Sequence, residues 1–185
     1  MTKTDLPLLV VVTGEPATGK TTLARALADE LGLPLLAKDE LKERLFDTLG
    51  AGDRGWSRRL GAATFELMFG LAAELLGAGA SLLVEANFDA QSTPRLRALP
   101  AHRPFQVVCT APADVRRARF RERATSGARH PGHLDDAVGL ELEAGEHEGR
   151  WQPLDLDGRP VIVDTASPVD VRALAAAARL AGERS

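Results

Sequence analysis

Gly14-Glu15-Pro16-Ala17-Thr18-Gly19-Lys20-Thr21 fits the pattern G-x-x-x-x-G-K-[ST] at every fixed position, and Thr22 follows directly. Glycines let such a loop curl so that its N–H groups point inward at an anion, and a helix after it adds the positive end of its dipole. The lysine of the pattern reaches the β- and γ-phosphates, and the threonine hydroxyl ligates Mg²⁺. Residues Gly14 to Thr22 therefore predict a nucleoside-triphosphate site, with Lys20 in the chemistry and Thr21 on the metal. Lysine is scarce here, four against nineteen arginines, so Lys20 is not filler. A glycine-rich turn with an incidental lysine would not need a buried strand before it and a helix after it, and this segment has both patterns.

Two further groups of residues fit phosphoryl transfer. Asp39 follows Leu35-Leu36-Ala37-Lys38 and precedes a helical pattern, and Glu85 and Asn87 bracket Ala86 after Leu82-Leu83-Val84. The chemistry needs a proton acceptor beside the attacking hydroxyl and little else beyond positioning and charge neutralisation. Asp39 suits the base, but it also suits a helix N-cap or a water-mediated Mg²⁺ ligand, and the residues leave these open. Glu85 and Asn87, two apart at a strand end, point the same way. Glu85 is then a metal ligand through water, an acceptor-binding group or an alternative base. Arg116, Arg119 and Arg123 fall on one helical stripe, while Arg117 and Arg121 lie off it. A cationic helix of this kind can stabilise charge that spreads during transfer. The bland alternative is a solvated basic face.

The elements that must position these groups read as an alternation of strands and helices. Strands are expected at 8–12, 35–37, 81–86, 105–109 and 161–164. Helices are expected at 20–31, 39–49 and 57–78, from about 92, from 114, at 134–148 and at 169–180. Short, continuous β-branched runs such as Leu8-Leu9-Val10-Val11-Val12 are how parallel strands buried on both faces read. The fold class is thus three-layer α/β, with the ligand beyond the carboxyl ends of the strands. One domain over 1–185 is expected from the length. Ala124 to His133, with Gly127, Pro131 and Gly132, reads as an exposed loop that could serve as a lid.

Composition sets outer bounds. The net charge of −3 disfavours an extended nucleic-acid surface, which normally carries a basic excess. No unbroken apolar run reaches the roughly 18 residues of a spanning helix, so no membrane partner is expected. A single cysteine, Cys109, rules out an intrachain disulfide and fits a reducing cytoplasm. Cys109 reads as a buried thiol. His130-Pro131-Gly132-His133 lacks the ligand spacing and partners of a zinc site. Trp56, Phe65, Met68 and Phe69 are candidates for core packing or for a wall of the acceptor pocket.

No N-K-x-D segment is present to read guanine, and no L-S-G-G-Q segment either. Gly14–Thr22 with Leu23-Ala24, the segment Lys38-Asp39-Glu40-Leu41-Lys42 and Arg119-x-x-x-Arg123 together resemble the small P-loop kinases, a group that includes chloramphenicol phosphotransferase, the kinase domain of polynucleotide kinase, gluconate kinase and the zeta toxins. The resemblance covers almost the whole chain in the order of its elements, and the phosphate loop is its one sharply specific motif. It implies a five-stranded parallel sheet of order 2-3-1-4-5. It also implies ATP and Mg²⁺ as cofactors, a small-molecule hydroxyl as acceptor, Asp39 as base, and Arg119, Arg123 and the loop residue Arg129 on the nucleotide. The family's D-x-x-R places acceptor contacts at Asp39, Lys42 and Arg44, beside Glu85 and Asn87. Here the motif's arginine is Lys42, which lacks the two-pronged grip of Arg on a phosphate. A 5′-hydroxyl polynucleotide or nucleoside kinase, or an ATP-binding switch acting through a partner, are the alternative readings.

Overall fold

Leu9, Val10, Val11 and Val12 are wholly buried, and this strand forms the centre of the molecule. A computed structural model describes residues 6–125, 130–133 and 151–181. The chain order is β1 (Leu8–Gly14), α1 (Lys20–Leu31), β2 (Leu35–Ala37), α2 (Lys38–Leu49), α3 (Arg54–Gly77) and β3 (Leu82–Glu85). A 3₁₀ turn (Ala90–Ser92) and the short α4 (Thr93–Arg97) lead to β4 (Arg103–Thr110), and α5 (Ala113–Thr125) follows. A second 3₁₀ turn (Pro131–His133), β5 (Val161–Asp164) and α6 (Val171–Arg179) complete the described elements. The acidic helix expected at 134–148 lies outside the described residues.

The five strands form one sheet of order β2-β3-β1-β4-β5, the order implied by the resemblance, and every neighbouring pair is parallel. Alternation along β1 divides the core between two layers. Leu8, Val10 and Val12 pack with Leu23, Ala24 and Leu27 of α1 and Leu174, Ala175 and Ala178 of α6. Leu9 and Val11 turn the other way, onto Met68, Phe69, Ala72 and Leu76 of α3 and onto Phe88. Helices therefore cover both faces, as parallel strands require.

α3 begins three residues earlier than its sequence pattern suggests, because Asp53 caps it by accepting from the Trp56 N–H at 2.7 Å. No unbroken apolar run is present, since Glu66 and Glu74 interrupt it, although length and mean hydropathy alone would let this helix cross a membrane. In the fold Leu60, Thr64, Met68, Phe69, Ala72 and Leu76 are buried, as one face of a core helix is.

The strand-to-loop junction depends on one glycine. Gly14 has φ +142°, and a Cβ there would lie 2.2 Å from the Cys109 carbonyl oxygen of β4. Gly79 has φ +78° with nothing within 4 Å of the same added carbon. Gly14→Ala is accordingly expected to lower unfolding stability by about 3 kcal/mol or more, and Gly79→Ala by only about 1 kcal/mol. Urea unfolding of both variants checks the contrast, and equal losses would contradict it.

Candidate active site

The loop after β1 is shaped by backbone conformation before any side chain acts. Gly19 has φ +77°, and Ala17 sits at φ +61°, a region that disfavours residues with a Cβ. Gly19 is also the N-cap of α1 and offers no side-chain cap. The first-turn N–H groups of a twelve-residue helix thus face the loop without a side-chain acceptor from the cap, the arrangement an anion site needs. Thr18 Oγ1 donates to the Glu15 carbonyl at 2.8 Å and fixes the curl.

Lys20 points back into this loop. Its Nζ donates to the Glu15 carbonyl at 3.1 Å, and the residue is only 7% exposed. Burial pushes its pKa down, opposed chiefly by the negative charges of Glu85 and then Asp39. Glu85 is also buried, and desolvation raises its pKa, opposed first by Lys20 and in part by the hydrogen bond from Thr21. The Thr21 hydroxyl donates to Glu85 Oε2 at 3.2 Å. Lys20, Asp39 and Glu85, from three separate strand ends, thus form one charge-coupled group.

Asp39 lies in the first turn of α2. The helix starts at Lys38 with Ala37 as its N-cap, so Asp39 is a first-turn residue and does not cap. The negative charge still suits the helix dipole there. Lys38 Nζ lies 3.0 Å from Asp39 Oδ1, with both side chains half-buried. This pair was not anticipated from the sequence, although the two residues are adjacent.

Several expected acceptor and nucleotide contacts take other partners. Asn87 donates from Nδ2 to the Gly14 carbonyl at 2.8 Å, which ties the end of β1 to the segment after β3. The buried Thr13 makes a second tie: its hydroxyl donates to the Phe88 carbonyl and accepts the Phe88 N–H. Lys42 is buried: Nζ donates to Ser57 Oγ at 2.8 Å, and Ser57 Oγ donates to the Gly132 carbonyl at 3.2 Å. Its ammonium also lies 5.1 Å from the Phe46 ring centroid. The expected acceptor contact at Lys42 thus gives way to packing between α2 and α3. Arg44 is exposed.

On the α5 side, Arg119 donates to Thr165 Oγ1 at 3.1 Å and to the Thr165 carbonyl at 2.7 Å. Thr165 Oγ1 in turn donates to the Thr18 carbonyl of the loop. Arg116, which the stripe included without a role, contacts the Glu15 carboxylate. Arg123 stands near enough for its charge to depress the pKa of Lys20, and its guanidinium lies 5.2 Å from the Phe120 ring centroid. Arg129 lies outside the described residues.

The expected exposed loop at 124–133 is corrected at both ends. Ala124 and Thr125 close α5, and residues 130–133 pack onto α2. The His130 ring stacks on Phe46 at 5.2 Å, His130 Nε2 lies 3.2 Å from Asp47, and the buried His133 lies 2.9 Å from Glu43. Gly132 permits this approach, since a Cβ there would come within 2.6 Å of the Phe46 ring. Among the described residues no group of three or more His, Cys, Asp or Glu side chains could hold a metal ion. Phe65, Phe69 and Phe88 form a ring cluster with Met68 in the α3 core, so packing is their role, as Cys109 is packed in the opposite layer.

Burial pushes the Cys109 thiol up to about 12 from an ordinary 9.0, against the nearby positive charge of Lys20. Disulfide-exchange labelling at pH 8 is expected to be about 10³-fold slower in the folded than in the urea-unfolded chain. The raised folded value also means that the stability Cys109 contributes is complete below about 9.0 and lost as pH rises toward about 12. Comparable labelling rates in the two states would contradict the burial of this thiol.

With this geometry in hand, similarity to known proteins is specific. A family model described as an AAA domain matches residues 9–144. The structure of a candidate kinase from Chloroflexus aurantiacus is 42% identical, with 95% of this chain and 98% of that one covered, at a TM-score of 0.87. A sugar kinase from a Janibacter species (19% identical, 93% and 92% covered, TM-score 0.60) shares the fold. An adenylylsulfate (APS) kinase of Mycobacterium tuberculosis, solved with AMPPNP and APS, does so too (18% identical, 93% and 95% covered, TM-score 0.57). Uncharacterised proteins of Mycobacterium tuberculosis and Mycobacterium bovis are 33% identical over 171 residues, 86% of this chain. The chain spans about a third of the length of these curated relatives, 32%.

Proposed function

The chain belongs to the AAA domain family, and its structural relatives are P-loop kinases. We propose that it transfers the γ-phosphoryl group of ATP to a hydroxyl of a small-molecule acceptor. The observation that carries this reading is the phosphate loop with Lys20 Nζ turned into it, on the Glu15 carbonyl, and Thr21 Oγ1 donating to the buried Glu85 carboxylate. An ammonium so placed can meet phosphate oxygens on one side while the carboxylates face the metal and the acceptor on the other.

The roles follow from chemistry. The loop N–H groups and the α1 N-terminus bind the phosphates of the nucleotide. Lys20 exchanges the Glu15 carbonyl for phosphate oxygens, which bear more negative charge and so make the stronger hydrogen bond. Thr21 Oγ1 and Glu85 offer only oxygen donors, which suits Mg²⁺, an ion that keeps waters and takes few protein ligands. Bound Mg²⁺ would supply neutralisation of charge on the β- and γ-phosphates. Asp39, held by Lys38, accepts the proton of the acceptor hydroxyl. Arg123 and Arg119 supply positive charge where negative charge builds up in transfer.

Lys20→Ala is expected to weaken ATP binding and abolish transfer while the chain stays folded, and calorimetry with unchanged ATP affinity would refute this. Asp39→Asn is expected to lower turnover by about 10² or more, with thermal stability nearly kept. The substrate must first be found by following ATP consumption against sugars, nucleosides, aminoglycosides and 5′-hydroxyl oligonucleotides. Near-normal turnover in Asp39→Asn together with its loss in Glu85→Gln would move the base to Glu85. Nucleotide binding without consumption against any acceptor would instead favour a partner-dependent switch.

A further inference from the structure

Glu15 is an unexpected residue for its position. It stands directly after Gly14 in the loop that is read here as the cradle for a triphosphate, and a carboxylate there repels the ligand. Arg116 meets this charge. Its Nη1 donates to Glu15 Oε2, and its Nε donates to the Ala111 carbonyl at 3.2 Å, which anchors the guanidinium to the turn between β4 and α5. The two side chains are 26% and 39% exposed, so the pair is less screened than one on open surface. Glu15 is also where the loop is held together, because its carbonyl accepts both Thr18 Oγ1 and Lys20 Nζ. One turn further along α5, Arg119 reaches the opposite side of the loop through Thr165 and Thr18.

We infer that Arg116 is a positioning residue for nucleotide binding, which neutralises the Glu15 carboxylate and holds it away from the phosphates. This rests on the reading of the loop as an ATP site. Removing Arg116 frees a negative charge inside the loop, and removing Glu15 as well takes that charge away again. Burial and then the neighbouring Arg117 disfavour the charged Arg116 guanidinium, and the Glu15 carboxylate is the acidic group in contact with it. Arg116 thereby differs from Arg117, which is exposed and off the stripe.

The test is calorimetric titration of the magnesium complex of AMPPNP into the wild-type chain and into Arg116→Met, Arg116→Lys, Glu15→Gln and the double variant Glu15→Gln/Arg116→Met. Arg116→Met is expected to weaken binding about tenfold, equivalent to about 1.4 kcal/mol. The deficit should shrink at about 0.5 M salt, where charge repulsion is screened. Arg116→Lys, which keeps the charge, and the double variant are each expected within about threefold of the wild type. A double variant as weak as Arg116→Met would overturn the inference, because the arginine would then act only as a mechanical brace. Unchanged affinity in Arg116→Met would overturn it while leaving the nucleotide reading intact. A wild-type chain that binds no AMPPNP would overturn both. Should Arg116→Met fail to fold, Arg116→Lys and the double variant still decide the matter.

Discussion

A buried ammonium dominates this molecule. Lys20 has been taken out of water into the mouth of a phosphate loop, and a lone charge in such a place is strongly disfavoured. It is tolerated because three things converge on it: the Glu15 carbonyl, the Glu85 carboxylate at the end of β3 and the Asp39 carboxylate after β2. Parallel strands in the order β2-β3-β1 put those three chain segments side by side at the carboxyl ends of the strands. The topology is therefore also an electrostatic arrangement, and the cost of burying Lys20 is the reason the acids must lie where they do. Neither partner is comfortable. Burial presses Lys20 toward its neutral form and Glu85 toward its protonated form, and each offsets the other.

The parts around this group serve mainly to keep it in shape. Asn87 and Thr13 tie the end of β1 to the chain after β3, Gly14 lets β4 approach, and Arg116 and Arg119 hold the two sides of the loop from α5. Preorganisation of this kind is what phosphoryl transfer asks of a protein, since its contribution is positioning and charge rather than covalent chemistry. The same economy of contact appears across the cleft. Residues 130–133 rest on α2 through two histidine–carboxylate pairs and a ring stack, and Ser57, itself held by Lys42, donates to the Gly132 carbonyl.

The phosphate loop and the strand–helix alternation were legible in the sequence because both are local. Loop residues follow one another, and each strand announces itself by its own apolar run. The sheet order came from resemblance, since no residue pattern states which strands are neighbours. Features that depend on distant partners were not legible. Arg116 meets Glu15 across 101 residues, and Arg119 meets Thr165 across 46. Arg117 and Arg121, off the stripe, are exposed, but nothing in the stripe told which of its arginines would grip the loop or through which partner. Lys42 looked like a ligand of the acceptor because it stands at the motif's arginine position, yet Ser57 and Phe46 claim it. The spacing of the histidines across Pro131 and Gly132 argued only against a zinc site, whereas Gly132 is what lets this segment approach Phe46 of α2. Asp39 shows a smaller discrepancy: a helix starting one residue earlier turned an apparent cap into a first-turn acid.

The central claim is that Lys20 rests on Glu15 only until a triphosphate replaces it. A crystal structure of the chain with AMPPNP and Mg²⁺ tests this directly. The β- and γ-phosphates are expected inside the loop between Gly14 and Thr22, with Lys20 Nζ moved from the Glu15 carbonyl onto phosphate oxygens. A nucleotide bound elsewhere, with Lys20 still donating to Glu15, would contradict it.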